Sequence, residues 1–336
     1  MKNYVIMIRN FKKYLWITFI LFSLMVIVTG WWLFIRHDIY PASILVEPGD
    51  RFHNVVVKLH DREIVNSPWF FSKAGIIIGL DRHIIPGRYD FKKRISNFEI
   101  MRKLWKGDIA VLSVTIPEGY SLKQISALIH QKCGTNPERF DSLVRDSAYL
   151  SNLGINAGFA EGYLFPETYR FQWGVTAHEA IETMAAHLFQ RMNDELLERG
   201  WELGYNLDDI LTMASIVESE GSHADEFPVI ASVYRNRLEI DMKLQADPTV
   251  IYGMGGLDRD LMIKDYQFSS TYNTYMHKGL PPTPICSPGM NAIMAILYPD
   301  STDFYYFVAD GNGRHVFNKT YQGHLRDIRR IKKQSR

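Results

Sequence analysis

The sequence predicts an α+β fold that follows a single N-terminal membrane-spanning helix. One uncharged run of 22 residues (14–35) is long enough to cross a bilayer. Predicted helices and strands do not alternate regularly after it, which argues against a doubly wound α/β fold. Hydrophobic residues make up 46% of the 336-residue chain and aromatic residues 13%, enough for one large domain or two compact ones.

The uncharged run reads YLWITFILFSLMVIVTGWWLFI. At about 1.5 Å per residue, a helix of this length spans roughly 30 Å, the thickness of a hydrocarbon core. Trp31 and Trp32 fall where an interfacial aromatic belt is expected. A cleaved signal peptide is the alternative, but its apolar core is shorter and ends in small residues. We therefore expect a retained single-pass anchor.

The charges before this run predict its orientation. Four basic side chains and no acidic one precede it: Lys2, Arg9, Lys12 and Lys13. The positive-inside rule then places the N-terminus in the cytoplasm. The sequence thus predicts a cytoplasmic tail (1–13), a transmembrane helix (14–35) and an extracytoplasmic remainder.

Charge and cysteine usage narrow the functional classes. The net charge is +1, which gives no general reason to expect a nucleic-acid partner. No CxxC or Cys/His spacing surrounds Cys133 and Cys286, so neither a metal site nor a redox pair is indicated. The two cysteines are either buried thiols or one long-range disulfide. Thiols are favoured because a chain of this length does not need a disulfide.

A strand–turn–helix pattern occurs twice after the anchor. Residues 44–46 precede a Pro-Gly turn and an amphipathic stretch, and residues 114–116 precede a second Pro-Gly turn (117–121) and another such stretch. The pattern resembles LysM-like modules, which bind glycans that contain N-acetylglucosamine. Two purely structural βα units are the alternative.

Helical periodicity and apolar alternation predict the remaining elements. Predicted helices cover 96–105, 122–130, 137–149, 176–199, 207–220 and 225–239. Residues 86–91 are predicted as a turn that enters a strand, and further predicted strands cover 304–308 and 316–317.

Glu218 is the main candidate for acid–base chemistry. It follows a strongly apolar stretch (210–217), and lost hydration there would raise the pKa of a carboxyl towards the range of a general acid. A solvated or capping glutamate is the alternative. Glu220 lies about 200° further around the helix, so both carboxyls cannot face one bond. A second carboxylate would come from elsewhere, with Asp247 and Glu167 possible by residue type alone.

Several further segments are rich in aromatic, turn and polar residues. They are EGYLFPETY (161–169), ASIVESE (214–220), VYRNRL (233–238), LQADPTVIYG (244–253), YNTY (272–275), GLPP (279–282), SPG (287–289) and YFVADG (306–311). In this order and spacing they resemble the MltG (YceG-like) family of endolytic murein transglycosylases. The resemblance extends from the anchor through a LysM-like subdomain (42–112) to a mixed α+β catalytic domain (113–336).

The resemblance implies cleavage of the β-1,4 bond between N-acetylmuramic acid and N-acetylglucosamine within peptidoglycan strands. The new end would be a 1,6-anhydro-muramyl residue, made without a metal or another cofactor. The catalytic glutamate of the family falls on Glu218, and Glu220 matches the second glutamate of the same motif. The bacterial inner membrane is the expected location, with the catalytic domain in the periplasm and peptidoglycan synthases (penicillin-binding proteins) as partners.

Polar side chains in these segments are candidates for binding the glycan. Gln245, Asp247 and Thr249 offer hydrogen-bonding groups suited to sugar hydroxyls and acetamides. Asn273 could donate to an acetamide carbonyl or polarise the attacking 6-hydroxyl.

Three tyrosines offer apolar ring faces for pyranose rings: Tyr252, Tyr272 and Tyr275. Core packing with a satisfied hydroxyl is the alternative for each of them.

Three other functions compete with this interpretation. A metal-dependent peptidase would use Glu218, His223, Asp225 or Glu226, but no HExxH or similar paired-histidine spacing is present. A non-catalytic membrane anchor would only grip peptidoglycan through the LysM-like region. A lysozyme-like hydrolase is the nearest alternative in chemistry, and its products would carry one more water.

Overall fold

A computed structural model describes residues 2–334, with side chains from residue 12 onward. The chain forms two compact units. The first contains the residues up to Leu112 together with 172–174, and the second contains the rest. Helices and two-stranded sheets occur in both, so the predicted α+β class is confirmed. The predicted cytoplasmic tail includes Met1 and the predicted catalytic domain includes residues 335–336. These three residues lie outside the described residues.

The first helix, α1 (Lys2–Phe34), contains the predicted apolar run. Within the described part of the chain it is the one helix long and apolar enough to cross a membrane, over Lys12–Phe34. Its exposed apolar surface is compatible with a single-pass anchor. The helix begins before residue 14, so the predicted tail and the predicted transmembrane segment belong to one continuous helix.

The first unit packs three helices against two small antiparallel sheets. After α1 the elements are β1 (Arg36–Asp38), β2 (Ala42–Val46), α2 (Phe52–Asp61), α3 (Pro68–Ile77), β3 (Gly87–Phe91), β4 (Arg94–Ser96) and α4 (Asn97–Lys106). Strand β1 pairs with β4, and β2 pairs with β3 with Ile44 opposite Tyr89. The core of this unit includes Leu59, Phe71 and Leu104, all fully buried.

The local sequence explains why these elements begin and end where they do. Ser96 and Glu99 form a reciprocal capping box at the start of α4, and Gly107 ends that helix in the left-handed conformation. The turn between β2 and α2 uses Gly49 at φ +90°, which favours glycine. The first predicted strand–turn–helix is therefore present, whereas glycan binding by this unit stays a prediction.

The second unit is mainly helical. Its elements are β5 (Val111–Thr115), α5 (Leu122–Cys133), α6 (Pro137–Leu143), α7 (Ser147–Asn152), β6 (Thr168–Gln172), α8 (Ala177–Arg191), α9 (Asp194–Glu202), α10 (Leu207–Glu220), α11 (Phe227–Glu239), α12 (Asp247–Gly253), α13 (Met290–Leu297), β7 (Tyr306–Ala309), β8 (His315–Asn318) and α14 (Tyr321–Gln334). Strand β5 pairs with β6, and β7 pairs with β8. Residues 111–112 of β5 and residue 172 of β6 are counted with the first unit.

Two predicted helices are each divided in two. The helix predicted over 137–149 breaks before Asp146, whose carboxylate accepts from the backbone at Ala148 and Tyr149 and caps α7. The helix predicted over 176–199 breaks before Asn193, which caps α9 in the same way. Asp and Asn side chains favour the start of a new helix. Their oxygens accept hydrogen bonds from first-turn backbone N–H groups, which would bond to carbonyls of the preceding turn if the helix continued.

Helix α10 is the centre of the second unit. Eight consecutive residues, 210–217, are buried, so every face of the helix is covered. It packs against α11, α12 and α13. Its last turn, which carries Glu218 and Glu220, therefore emerges directly from an apolar core. The carboxyl groups of Glu218 and Glu220 are therefore partly shielded from water.

Both cysteines are buried free thiols. Cys133 ends α5, and Cys286 contacts the Ser215 carbonyl on α10 at 3.3 Å. The favoured interpretation of two thiols agrees with this arrangement.

Candidate active site

Glu218 lies half-buried on one side of the last turn of α10. Its Oε2 accepts a hydrogen bond of 2.9 Å from the backbone N–H of Gly289, the residue that caps α13. Burial raises the pKa of Glu218, the Gly289 bond partly opposes this, and the negative charge of Glu118 raises it further. The surroundings of this carboxyl thus favour its protonated form, as a general acid requires.

Glu118 belongs to the turn that follows β5, and this turn brings its carboxyl close to Glu218. The Gly119 N–H donates to the Ser287 carbonyl at 2.9 Å, and the Ser287 N–H donates to the Tyr120 carbonyl at 2.8 Å. A Cβ built on Gly289 would lie 1.9 Å from Oε1 of Glu118, so the Glu118 carboxyl lies directly against that glycine. Sequence reasoning treated 117–121 only as a turn and missed this carboxyl.

Glu220 faces a different part of the molecule, as the helical geometry predicts. It lines a cleft of about 440 Å³ and accepts a hydrogen bond of 2.9 Å from the Tyr234 hydroxyl. Burial raises the pKa of Glu220 to about 7. The Tyr234 bond opposes this rise, and the charge of Asp247 adds to it. Glu218 does not line this cleft.

Three more predicted residues line the same cleft as Glu220: Gln245, Asp247 and Tyr275. The first residue of α12, Asp247, accepts from the Tyr275 hydroxyl at 2.6 Å. Gln245 is exposed and has φ +49°, a conformation that costs energy in any residue with a side chain. Strain of this kind is commonly held at functional sites.

Other cleft residues were not singled out from the sequence. Arg237 is buried beneath the cleft and donates to the Tyr305 carbonyl at 2.7 Å and to the Leu244 carbonyl. His315 on β8 lies 2.9 Å from the Glu226 carboxylate. The VYRNRL segment contains Arg237, but its sequence gives no sign that the guanidinium supports a cleft.

Thr249 and Asn273 are fully buried behind the cleft. The Thr249 hydroxyl donates to the Ala246 carbonyl at 2.7 Å. The Asn273 amide donates to the Tyr266 and Phe268 carbonyls and accepts from the Tyr275 N–H. The structure gives these two side chains a positioning role, since their polar groups already have partners, and direct sugar contact stays a prediction.

Tyr252 and Tyr272 lie together, with ring centroids 4.9 Å apart, outside the cleft. The Tyr252 hydroxyl donates to Oε2 of Glu161 at 2.8 Å, and the Tyr272 hydroxyl lies 2.8 Å from that of Thr283. Glu161 is only 2% exposed, and burial raises its pKa to about 7. This buried carboxyl was not predicted as part of the site.

Asp247 and Glu167, which the sequence analysis named as possible second catalytic carboxylates, do not lie beside Glu218. Asp247 belongs to the Glu220 cleft, and Glu167 pairs with Arg191 at 3.2 Å on the surface. The carboxylate that does act on Glu218 is that of Glu118. Within residues 12–334 no group of three or more His, Cys, Asp and Glu side chains is arranged to hold a metal ion.

A desolvated carboxyl at the end of a buried helix, near a polar and aromatic cleft, is typical of enzymes that use general acid–base catalysis. The chain belongs to the YceG-like family, whose family model matches residues 44–330.

Two curated relatives carry the name endolytic murein transglycosylase. The protein from Bacillus subtilis (strain 168) is 34% identical over 256 residues, which cover 71% of this chain and 70% of the relative. The protein from Streptococcus pneumoniae (serotype 2, strain D39) is 29% identical over 274 residues, which cover 72% of this chain. The match spans about half (50%) of the length of this streptococcal relative.

A solved structure has a similar fold. The crystal structure of a YceG-like protein from Listeria monocytogenes superposes with a TM-score of 0.62 and 28% sequence identity. The match covers 85% of this chain and 98% of the Listeria chain.

Proposed function

We propose that this protein is an endolytic murein transglycosylase. It cuts the β-1,4 bond between N-acetylmuramic acid and N-acetylglucosamine within glycan strands and leaves a 1,6-anhydro-muramyl end. The observation that carries the proposal is the half-buried Glu218 carboxyl, whose pKa is raised at the end of an apolar helix. The names of the Bacillus and Streptococcus relatives support the same activity.

In the proposed reaction one carboxyl serves twice. Protonated Glu218 gives its proton to the glycosidic oxygen as that oxygen leaves the anomeric carbon. The 6-hydroxyl of the same muramyl residue attacks that carbon, and the Glu218 carboxylate then takes the hydroxyl proton. A new C–O bond replaces the broken one, and the carboxyl ends in its starting state. No water and no metal or other cofactor enters this scheme.

The cleft residues bind the strand in this proposal. Glu220, Gln245, Asp247 and Tyr275 present carboxylate, amide and aromatic groups to one open cleft, which suits the mixed polar and apolar faces of sugars. Thr249 and Asn273 hold the loops that present them.

The tyrosine pair extends this set. Tyr252 and Tyr272 offer partly exposed ring surface to a further sugar, with their hydroxyls fixed by Glu161 and Thr283.

We propose that the rest of the chain holds this chemistry at a membrane. Residues 14–35 anchor the protein in the bacterial inner membrane, and residues 1–13 lie in the cytoplasm. The region 42–112 binds glycan as a LysM-like subdomain, and 113–336 is the periplasmic catalytic domain. With peptidoglycan synthases as partners, such an enzyme would end the elongation of nascent strands. The apolar helix and the basic residues before it support the membrane anchor and its orientation.

Mass spectrometry of the products tests the activity. Purified glycan strands treated with the full-length protein should yield new anhydro-muramyl ends, each lighter by one water than a reducing end. A parallel digest with a lysozyme supplies the reducing ends for comparison. Reducing ends from this protein would establish a hydrolase instead, and uncut strands would leave only the non-catalytic peptidoglycan-binding function.

A further inference from the structure

Helix α3 of the first unit exposes an apolar stripe. Trp69, Phe70, Ile76 and Ile77 are 62%, 54%, 49% and 84% exposed, and their spacing places them along one face of the helix. The opposite face is firmly packed. Phe71 is fully buried, and a Cβ on Gly75 would lie 2.2 Å from the Phe52 ring. The exposed stripe is therefore an outward surface of a well-docked helix.

The composition of α3 suits a lipid surface. The helix reads PWFFSKAGII and contains no acidic residue. Lys73, its only charged side chain, is exposed within the stripe. A lysine can extend its ammonium group to water or to lipid phosphate while its stem stays in an apolar layer. Tryptophan, phenylalanine and lysine together are typical of interfacial helices.

Contacts within the first unit place α3 beside the end of α1. The rings of Trp32 on α1 and Phe70 on α3 lie 5.9 Å apart. Helix α4 holds the same end of α1. The rings of Phe34 on α1 and Phe98 on α4 lie 5.0 Å apart, and the Asn97 amide on α4 donates to the Trp32 carbonyl at 3.0 Å. The start of α3 is thus level with the last turn of α1, where the apolar span ends.

We propose that α3 lies in the interfacial layer of the bilayer that α1 spans, with its exposed stripe facing the acyl chains. The proposal rests on the membrane anchoring proposed above. A lipid surface is favoured over a second protein copy because the stripe continues the apolar surface of α1 at the depth of its tryptophans. Two membrane contacts would stop the first unit from pivoting freely about α1.

Site-specific labelling of the full chain tests this contact. An environment-sensitive fluorophore is attached to Ile77→Cys in vesicles of phosphatidylethanolamine and phosphatidylglycerol. Ile77 is almost fully exposed, so the substitution leaves the core intact, and Cys133 and Cys286 are buried and do not compete for the label. Glu47→Cys, in the exposed turn after β2, is the matched control.

The label at 77 should show blue-shifted emission and quenching by nitroxide lipids, and iodide should quench it several-fold less than the label at 47. Equal iodide quenching at both positions would refute the contact. Protection at 77 that depends on protein concentration, without quenching by nitroxide lipids, would indicate a second copy and also refute it. Failure to float with the vesicles would overturn the anchor itself, whereas product analysis would still test the enzymatic activity separately.

A different observation concerns the two carboxyls that meet at Gly289. Glu218 accepts from the Gly289 N–H, and the Glu118 carboxyl occupies the space where a Cβ at 289 would lie. Gly119 is also close, since a Cβ there would lie 3.9 Å from Cγ of Glu218. The Cys286 thiol is a further titratable group that interacts with Glu218, and burial keeps it neutral by raising its pKa to about 12.

We infer that Glu118 is a positioning residue that acts through Glu218, and that residue 289 is glycine because the Glu118 carboxyl takes the space of a Cβ. This inference rests on the proposed role of Glu218. The negative charge of Glu118 disfavours a second negative charge beside it, which favours the protonated form of Glu218 that the leaving oxygen needs. The required φ at 289 is an ordinary −78°, so space and not backbone conformation demands the glycine.

The pH profile of strand cleavage by Glu118→Gln tests this role. Loss of the neighbouring charge lowers the pKa of Glu218, so the alkaline limb of the rate profile should move to lower pH while the acidic plateau is kept. Gly289→Ala should move the limb in the same direction, because its methyl group displaces the mobile end of Glu118. Glu167→Gln, which alters an exposed carboxyl paired with Arg191, should leave the limb in place.

An unmoved limb in Glu118→Gln, with anhydro ends still formed, would refute the role of Glu118 and leave the transglycosylase proposal standing. Absence of anhydro ends from the unmodified protein would refute that proposal itself.

Discussion

Glu218→Gln should lower the rate of anhydro-end formation by at least about 100-fold, the contribution expected of a general acid–base group. Glutamine keeps the shape of the side chain and can still accept from the Gly289 N–H. It cannot give a proton to the leaving oxygen or take one from the 6-hydroxyl. Glycan binding should survive, so the loss should appear in kcat. Mass spectrometry and a strand-binding assay on the same preparation separate the two effects.

Glu220→Gln is the matched control, since it makes the same change two residues away on the same helix. Burial raises the pKa of Glu220 to about 7, and its carboxyl accepts from Tyr234 at the wall of the cleft. Its replacement should weaken strand binding and cost much less in kcat. If Glu220→Gln abolishes cleavage while Glu218→Gln forms anhydro ends at a near-normal rate, the acid is Glu220 and our assignment of the two roles is reversed.

The sequence predicts the surroundings of Glu218, the candidate acid, because the relevant signal is local. An apolar run of eight residues that ends at Glu218 fits a helix buried on every side, and such burial is what raises the pKa of this carboxyl. The spacing of Glu218 and Glu220 also predicts that they face different surroundings, as the structure shows.

The parts that the sequence did not predict depend on contacts between distant segments. Glu118 lies 100 positions before Glu218, and two backbone hydrogen bonds between its turn and Ser287 bring it there. No periodicity encodes that pairing. The breaks at Asp146 and Asn193 are different, because both capping residues are visible in the sequence but compete with an otherwise continuous helical pattern.

The buried Glu161 carboxyl should make the stability of the fold depend on pH. The carboxyl is almost completely buried and accepts from the Leu122 N–H at 2.9 Å and from the Tyr252 hydroxyl at 2.8 Å. It therefore connects the start of α5 to α12. Burial raises its pKa from 4.5 to about 7, although both hydrogen bonds oppose the rise.

The sign of the resulting pH dependence follows from proton binding. Between pH 4.5 and about 7 the folded protein keeps the Glu161 proton and the unfolded chain has lost it. The free energy of unfolding therefore falls as pH rises through this window, by about 3 kcal/mol from this group alone, and changes no further above it.

Glu161→Gln should remove this dependence. A glutamine amide resembles the protonated carboxyl, because its oxygen can accept from Leu122 and its NH₂ can donate to the Tyr252 oxygen. Relative to the unmodified protein, the variant should gain up to about 3 kcal/mol of unfolding free energy between about pH 5 and about pH 8. Denaturant unfolding of the detergent-solubilised chain, followed by near-ultraviolet circular dichroism, measures the difference.

Glu167→Gln, six residues further along the same segment, is the control. Hydrogen bonding to the Thr168 N–H, with smaller contributions from His187 and Arg191, lowers the pKa of Glu167. Its carboxylate stays ionised in both states above about pH 5, so its stabilising effect would be lost only at more acidic pH. The difference between Glu167→Gln and the unmodified protein should thus be constant across the measured range. A constant difference for Glu161→Gln as well would show that Glu161 is already ionised in the folded protein at about pH 5.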